Sequence, residues 1–120
     1  MPATAQAVRL RADRSLQRVR ERLGMSQERL AQTLGVSGRT VVRLENQEAM
    51  PSRLALDRIE RLRAVLRLAE QVFPEAAVPS WFQASNPTLG GRAPADVLAT
   101  RDGLEEVHRL LGRMAWGIPT

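Results

Sequence analysis

The 120 residues contain no cysteine, no tyrosine and no lysine, and they hold one histidine, two tryptophans and two phenylalanines. Without cysteine, neither a disulfide framework nor a thiolate metal site can form. Long apolar runs are missing as well. Nothing approaches the roughly 18 consecutive apolar residues of a membrane span, and the opening MPATAQAVRLRADR lacks the apolar core of a secretion signal. A soluble cytoplasmic protein is expected, with no membrane partner. The inventory for catalysis is equally thin. His108 stands alone in a helical pattern, and Gly90-Gly91-Arg92 lacks the strand-loop-helix context of a phosphate cradle. No catalytic residue, cofactor or metal ligand is assigned.

Arginine is what the chain has in quantity. All 18 basic residues are arginine, against 13 acids, for a net charge of +5. All-arginine usage is also what a biased nucleotide composition produces, so the placement of charge says more than its total. Residues 1–51 hold nine arginines against five acids, residues 52–73 five against three, and residues 74–120 four against five. The basic excess lies at the front, where contact with phosphates requires it. The last third lacks that footprint.

The hydrophobic pattern predicts an all-α protein with neither strand nor internal repeat. A first helix over Val8–Leu23 places Ala12, Leu16, Val19 and Leu23 on one side, with Arg9, Arg11, Arg14, Arg18, Arg20 and Arg22 on the others. Gly24 stops it, and Ser26 caps a second helix with Glu28 in its first turn. There Leu30, Ala31 and Leu34 repeat at buried spacing until Gly35 supplies a positive φ. Val36 follows as a plug, Ser37 as the next N-cap, and Val41 and Leu44 resume the buried face. Gly38, Arg39, Val42, Arg43 and Asn46 are left facing outward.

Those positions spell a helix-turn-helix with its reading face exposed. From Gly24-Met25-Ser26-Gln27-Glu28 to Arg43-Leu44-Glu45 the stretch resembles the Xre-type, phage repressor-like regulators. Gln27 and Ser37 sit at helix N-termini, where side chains and free N–H groups hold phosphates, and Thr40 is a further phosphate candidate. Arg39 and Arg43, one turn apart, suit bidentate contacts to guanine. Val42 suits a thymine methyl, and Asn46 a base or the backbone. A single motif reads a half-site, so a homodimer on two-fold related operator DNA is expected.

Gln47–Ser52 forms a connector, with Pro51 barring helix continuation and Ser52 capping a long helix over 53–73. Its apolar stripe is read as Leu54, Ile59, Leu62, Val65, Leu66, Ala69, Val72 and Phe73, broad enough to serve both halves of the chain. Asp57 with Arg61 and Glu60 with Arg63 are expected surface pairs. Beyond Pro74, prolines 79, 87 and 94 alternate with Trp81, Phe82 and Gly90-Gly91, a density of aromatics no flexible linker carries. This predicts an ordered loop-rich segment with short helices at 79–83 and from Pro94 through Leu98. A final helix over 102–115 follows, opened by an Asp102/Glu105 capping box and buried through Leu104, Val107, Leu110, Leu111 and Met114. The resulting plan is a helix-turn-helix lobe (1–51), a connecting helix (52–73) and a small helical C-terminal lobe (74–120) with an ordered Pro/Gly-rich loop.

A second resemblance lies in that lobe. Trp81-Phe82, Ser85-Asn86-Pro87-Thr88-Leu89-Gly90-Gly91-Arg92-Ala93-Pro94, Val97-Leu98, Gly103 and the ending Leu110–Pro119 are similar to the toxin-binding domain of the Xre/MbcA/ParS antitoxins. The resemblance implies a type II antitoxin whose partner is a RES-domain toxin, itself similar to ADP-ribosyltransferases and a consumer of NAD. It implies that the C-terminal region blocks the toxin's NAD pocket and that the pair represses its own operon. The antitoxin then needs no catalytic residue. Residue chemistry favours Arg92 tying its loop to carbonyls or to an acid such as Asp96, with toxin contact as its other role. Trp116, Gly117, Ile118, Pro119 and Thr120 are the toxin-contact candidates of the tail, while Trp81 is assigned to the lobe's core. The competing readings are a stand-alone repressor whose C-terminal lobe only dimerises and an enzyme accessory subunit that has lost DNA binding.

Overall fold

Residue 16 to residue 117 is the part of the chain that this computed structural model describes. Residues 1–7, Arg9, Arg11, Ala12, Arg14 and the tail candidates Ile118, Pro119 and Thr120 lie outside it. Within the described residues the chain is helical throughout, with no strand. Helix α1 (16–23) buries Leu16, Val19 and Leu23. Gly24 ends it at φ 71°, and the Met25 amide bonds back to the Arg20 carbonyl at 3.0 Å. Helix α2 is Gln27–Leu34, capped by Ser26 Oγ on the Arg29 amide; helix α3 is Gly38–Glu45, capped by Ser37 Oγ on the Thr40 amide. Gly35 joins them at φ 71°, ψ 33°, and the Val36 amide closes the turn on the Ala31 carbonyl.

Helix α4 (Arg53–Val72) starts on Ser52, whose hydroxyl accepts from the Ala55 amide. Its buried stripe is Ala55, Ile59, Leu62, Val65, Leu66 and Ala69. The stripe expected from the sequence is corrected at one end. Leu54 is 62% exposed and Ala55 takes its place, because the face that meets the core steps through 55, 59, 62, 66 and 69 and leaves position 54 about 100° away. Val72 and Phe73 are half-buried.

After a 3₁₀ turn (Glu75–Ala77) come α5 (Val78–Gln83), a second 3₁₀ turn (Pro87–Leu89), α6 (Pro94–Val97) and α7 (Arg101–Ala115). The Asp102/Glu105 capping box does not form. Thr100, in extended backbone, caps α7 by accepting from the Gly103 amide, which places Asp102 inside the first turn and leaves Glu105 to pair with Arg61 and Arg101. Gly103 is there for space: a Cβ on it would lie 1.8 Å from the Val97 carbonyl oxygen. Trp81 packs against Phe73 at 5.4 Å and edge-on to fully buried Phe82 at 5.0 Å, the core role expected of it.

Helix α4 runs against α7 on one side and α2 on the other, so one continuous core extends from Leu16 to Leu111. Each fully buried leucine in it is worth about 1.5–3 kcal/mol relative to exposure. Polar contacts bind the halves further: Arg29 pairs with Asp96, and Arg22 reaches Glu70 at 3.1 Å and Glu75 at 3.5 Å. At Gly24 the backbones approach closely, since a Cβ would stand 2.8 Å from that of Pro79.

Candidate nucleic-acid and protein interfaces

Helix α3 is held by its buried edge. Val41 and Leu44 enter the core, and Glu45 beside them is a carboxylate with only 3% of its side chain exposed. Arg20 of α1 reaches it through Nε at 2.6 Å and 3.2 Å and donates Nη1 to the Met25 carbonyl. Gln27 donates its amide to the second carboxylate oxygen at 3.2 Å. The three residues join α1, the start of α2 and the end of α3, fixing the angle of α3 to its neighbours. Reading Arg20 as one more outward arginine missed this. The signal was present in Val41-Leu44-Glu45, whose spacing puts the acid on the flank of the buried face.

The opposite face of α3 is open. Arg39, Val42, Arg43 and Asn46 line one shallow depression together with Glu48. Arg39 makes no hydrogen bond or ion pair with the described residues, while Arg43 donates one N–H to the Glu48 carbonyl at 3.3 Å. At the N-terminus of α3, Ser37 and Thr40 share a hydroxyl hydrogen bond of 2.9 Å, and a Cβ on Gly38 would meet nothing within 4 Å. The backbone there is accessible to a ligand. Of the sequence-derived set, Ser37, Gly38, Arg39, Thr40, Val42, Arg43 and Asn46 lie on α3 or at its caps. Gln27 stands apart, with its amide nitrogen turned toward Glu45.

In the C-terminal lobe the polar groups serve the loop itself. The Asn86 carbonyl accepts from the amides of Leu89 and Gly91, its side chain accepts from the Thr88 amide, and its own amide donates to the Arg92 carbonyl. Gly90 and Gly91 take φ values of 70° and 85° that side chains resist, and Leu89 is driven inward to 1% exposure. Arg92 donates Nε to the Leu89 carbonyl at 2.7 Å and faces Glu106 at 3.4 Å. The carbonyl tie is the expected one; the acid is not. Asp96 sits on α6, which directs it to Arg29 of α2, and Glu106 of α7 takes the place beside Arg92.

Trp116, just past α7, is 81% exposed, and Gly117 follows at φ 71°. A groove between the second 3₁₀ turn and α7 is lined by Thr88, Glu106, Arg109 and Arg113. Neither of its last two arginines has a partner among the described residues, and the sequence reading assigned them no role. His108 is exposed, and no cluster of metal-ligating side chains occurs among the described residues. No described helix is long and apolar enough to cross a membrane.

Residues 68–117 match the family described as the antitoxin Xre/MbcA/ParS C-terminal toxin-binding domain, and residues 16–62 match a helix-turn-helix family. No curated protein matches the chain. Among solved structures, a chain of the M. tuberculosis MbcT–MbcA toxin–antitoxin complex superposes with a TM-score of 0.71 at 27% identity, covering 90% of this chain and 96% of that one. With a helix-turn-helix in front and a domain matching the Xre/MbcA/ParS toxin-binding family behind, built on one core, the chain has the two-part organisation of an antitoxin.

Proposed function

We propose that the chain is the antitoxin of a type II pair whose partner is a RES-domain toxin. Its C-terminal lobe and the tail from Trp116 onward lie across the mouth of the toxin's NAD pocket and inhibit it sterically. Its helix-turn-helix binds operator DNA as a homodimer within the toxin–antitoxin assembly and represses the operon encoding both. One observation carries the reading: the chain offers two surfaces of opposite chemistry, a guanidinium-lined face on α3 and an exposed indole at the end of α7.

On the DNA side, Arg39 has a free N–H fork for guanine O6 and N7, Arg43 offers the donors left beside its bond to the Glu48 carbonyl, Val42 meets a thymine methyl, and Asn46 reaches a base or the backbone. Ser37, Gly38 and Thr40 receive a phosphate at the N-terminus of α3, and Gln27 frames the start of α2. On the toxin side, an indole at 81% exposure is the kind of anchor that dominates interface energetics once desolvated. Arg92 acts mainly by holding its loop, with its exposed edge available to the toxin.

Co-expression with the RES-domain protein tests the reading. Replacing Trp116 by Asp and ending the chain at Gly117 is expected to abolish rescue of growth while leaving operator binding intact. Full rescue by that variant overturns the toxin assignment. Operator binding that does not weaken as salt rises overturns the DNA assignment, because phosphate contacts release counterions.

A further inference from the structure

Two of the chain's eight glycines are explained by nothing inside the molecule. Five take a positive φ, and Gly103 is wedged against the Val97 carbonyl. That leaves Gly38 and Gly112, each in helical backbone and each with nothing within 4 Å of an added Cβ. Gly38 opens α3, on the face proposed for DNA. Gly112 stands inside α7, where glycine weakens a helix relative to alanine. A bare backbone kept there despite that penalty has the use proposed for Gly38, the close approach of something from outside.

The surface around Gly112 suits a partner of one charge. Arg109, Gly112, Arg113 and Trp116 recur at the spacing that shares one side of a helix. Arg109 and Arg113 are exposed, have no hydrogen bond or ion pair among the described residues, and line the groove of about 200 Å³ that faces Thr88. The acid in that groove, Glu106, already faces Arg92 at 3.4 Å. What remains is positive, so the matching surface is acidic, and guanidinium forks take carboxylates in pairs of bonds. The exposed indole of Trp116 in the same row suits a protein better than a phosphate backbone. We infer that an acidic segment of the toxin crosses α7 at Gly112 in backbone contact, with its carboxylates on Arg109 and Arg113 and its apolar side against Trp116. The inference rests on the proposed toxin pairing and adds the residues that select the toxin: a bulky or basic segment at this place is refused.

Calorimetric titration of the full chain with the RES-domain protein tests this. Gly112→Leu puts a side chain where the chain itself leaves open space, so thermal unfolding is expected at or above the wild-type midpoint. Toxin affinity is expected to fall by about tenfold or more. The double variant Arg109→Glu with Arg113→Glu is expected to lose about as much and to flatten the salt dependence of the affinity. Arg67→Glu, the same kind of reversal at an exposed position of α4, is expected to change neither. All three are expected to keep operator binding. Wild-type toxin affinity in either the Gly112 or the double variant overturns the crossing at Gly112 and leaves the toxin pairing standing. Equal weakening by Arg67→Glu makes the effect one of net charge, and the inference falls. Loss of operator binding in the double variant, with toxin affinity unchanged, gives the face to DNA instead. A wild-type chain that does not bind the RES-domain protein overturns both the crossing and the pairing.

Discussion

The two ends of the molecule use their polar residues in opposite ways. On α3 the charged pair is underneath, Arg20 with Glu45, and the outward arginines are left with few internal bonds. In the Asn86–Arg92 loop nearly every polar group is spent on the loop's own backbone, and what protrudes from the lobe is a tryptophan. The front half keeps donors free for a charged, hydrogen-bonding partner. The rear half fixes its own shape, and beside its charged groove it exposes one indole to the folded protein proposed as its partner. Selectivity thus rests on side-chain donors in the first case and on a rigid contour in the second.

That contrast can be broken from either end. Glu45→Ala leaves Arg20 unpaired where only 16% of its side chain is exposed, and is expected to cost about 3–5 kcal/mol in urea unfolding. Because one core serves both halves, the loss should appear in a single transition; two separate transitions would show the halves to be independent. Gly103→Ala drives a methyl into the Val97 carbonyl and is expected to cost about 3 kcal/mol, read by thermal unfolding. Arg43→Ala should leave stability unchanged and weaken operator binding by about 1–3 kcal/mol, with relaxed preference at one base pair if it reads guanine. Equal weakening on every sequence, in a competition assay, would make it a phosphate contact. Smallest on stability is Trp116→Ala, expected within about 0.5 kcal/mol of wild type while inhibition of the toxin drops. A large stability loss there would mean that the indole belongs to the lobe.

Local rules made the helix-turn-helix legible. Ser26, Ser37 and Ser52 cap the helices they precede, and Gly24 and Gly35 take the left-handed backbone their positions call for. The pattern also showed the Asn86–Arg92 turns, where Pro and Gly restrict the backbone strongly. Contacts between distant segments were not legible. Nothing local distinguishes Arg20 from Arg18, or shows that Asp96 answers Arg29 across 67 residues, since the choice depends on how α1, α2 and α6 pack. The start of α4 failed for a related reason. Leu54 is as hydrophobic as a core residue, and only the position of α7 and α2 shows that Ala55 is the one facing in. The cap of α7 was missed by reading acids before the threonine, though Thr100 three residues ahead of Gly103 is the stronger signal.

Helix α4 contributes to both halves, with no slack chain between them. Whatever the rear lobe grips is therefore carried at a set azimuth and height above the double helix, the way a bracket fixes a lamp to a wall. On the proposed function, successive copies along an operator would space their cargo by the pitch of DNA, and the number and phasing of half-sites would set how many toxin molecules one stretch of sequence could stack side by side.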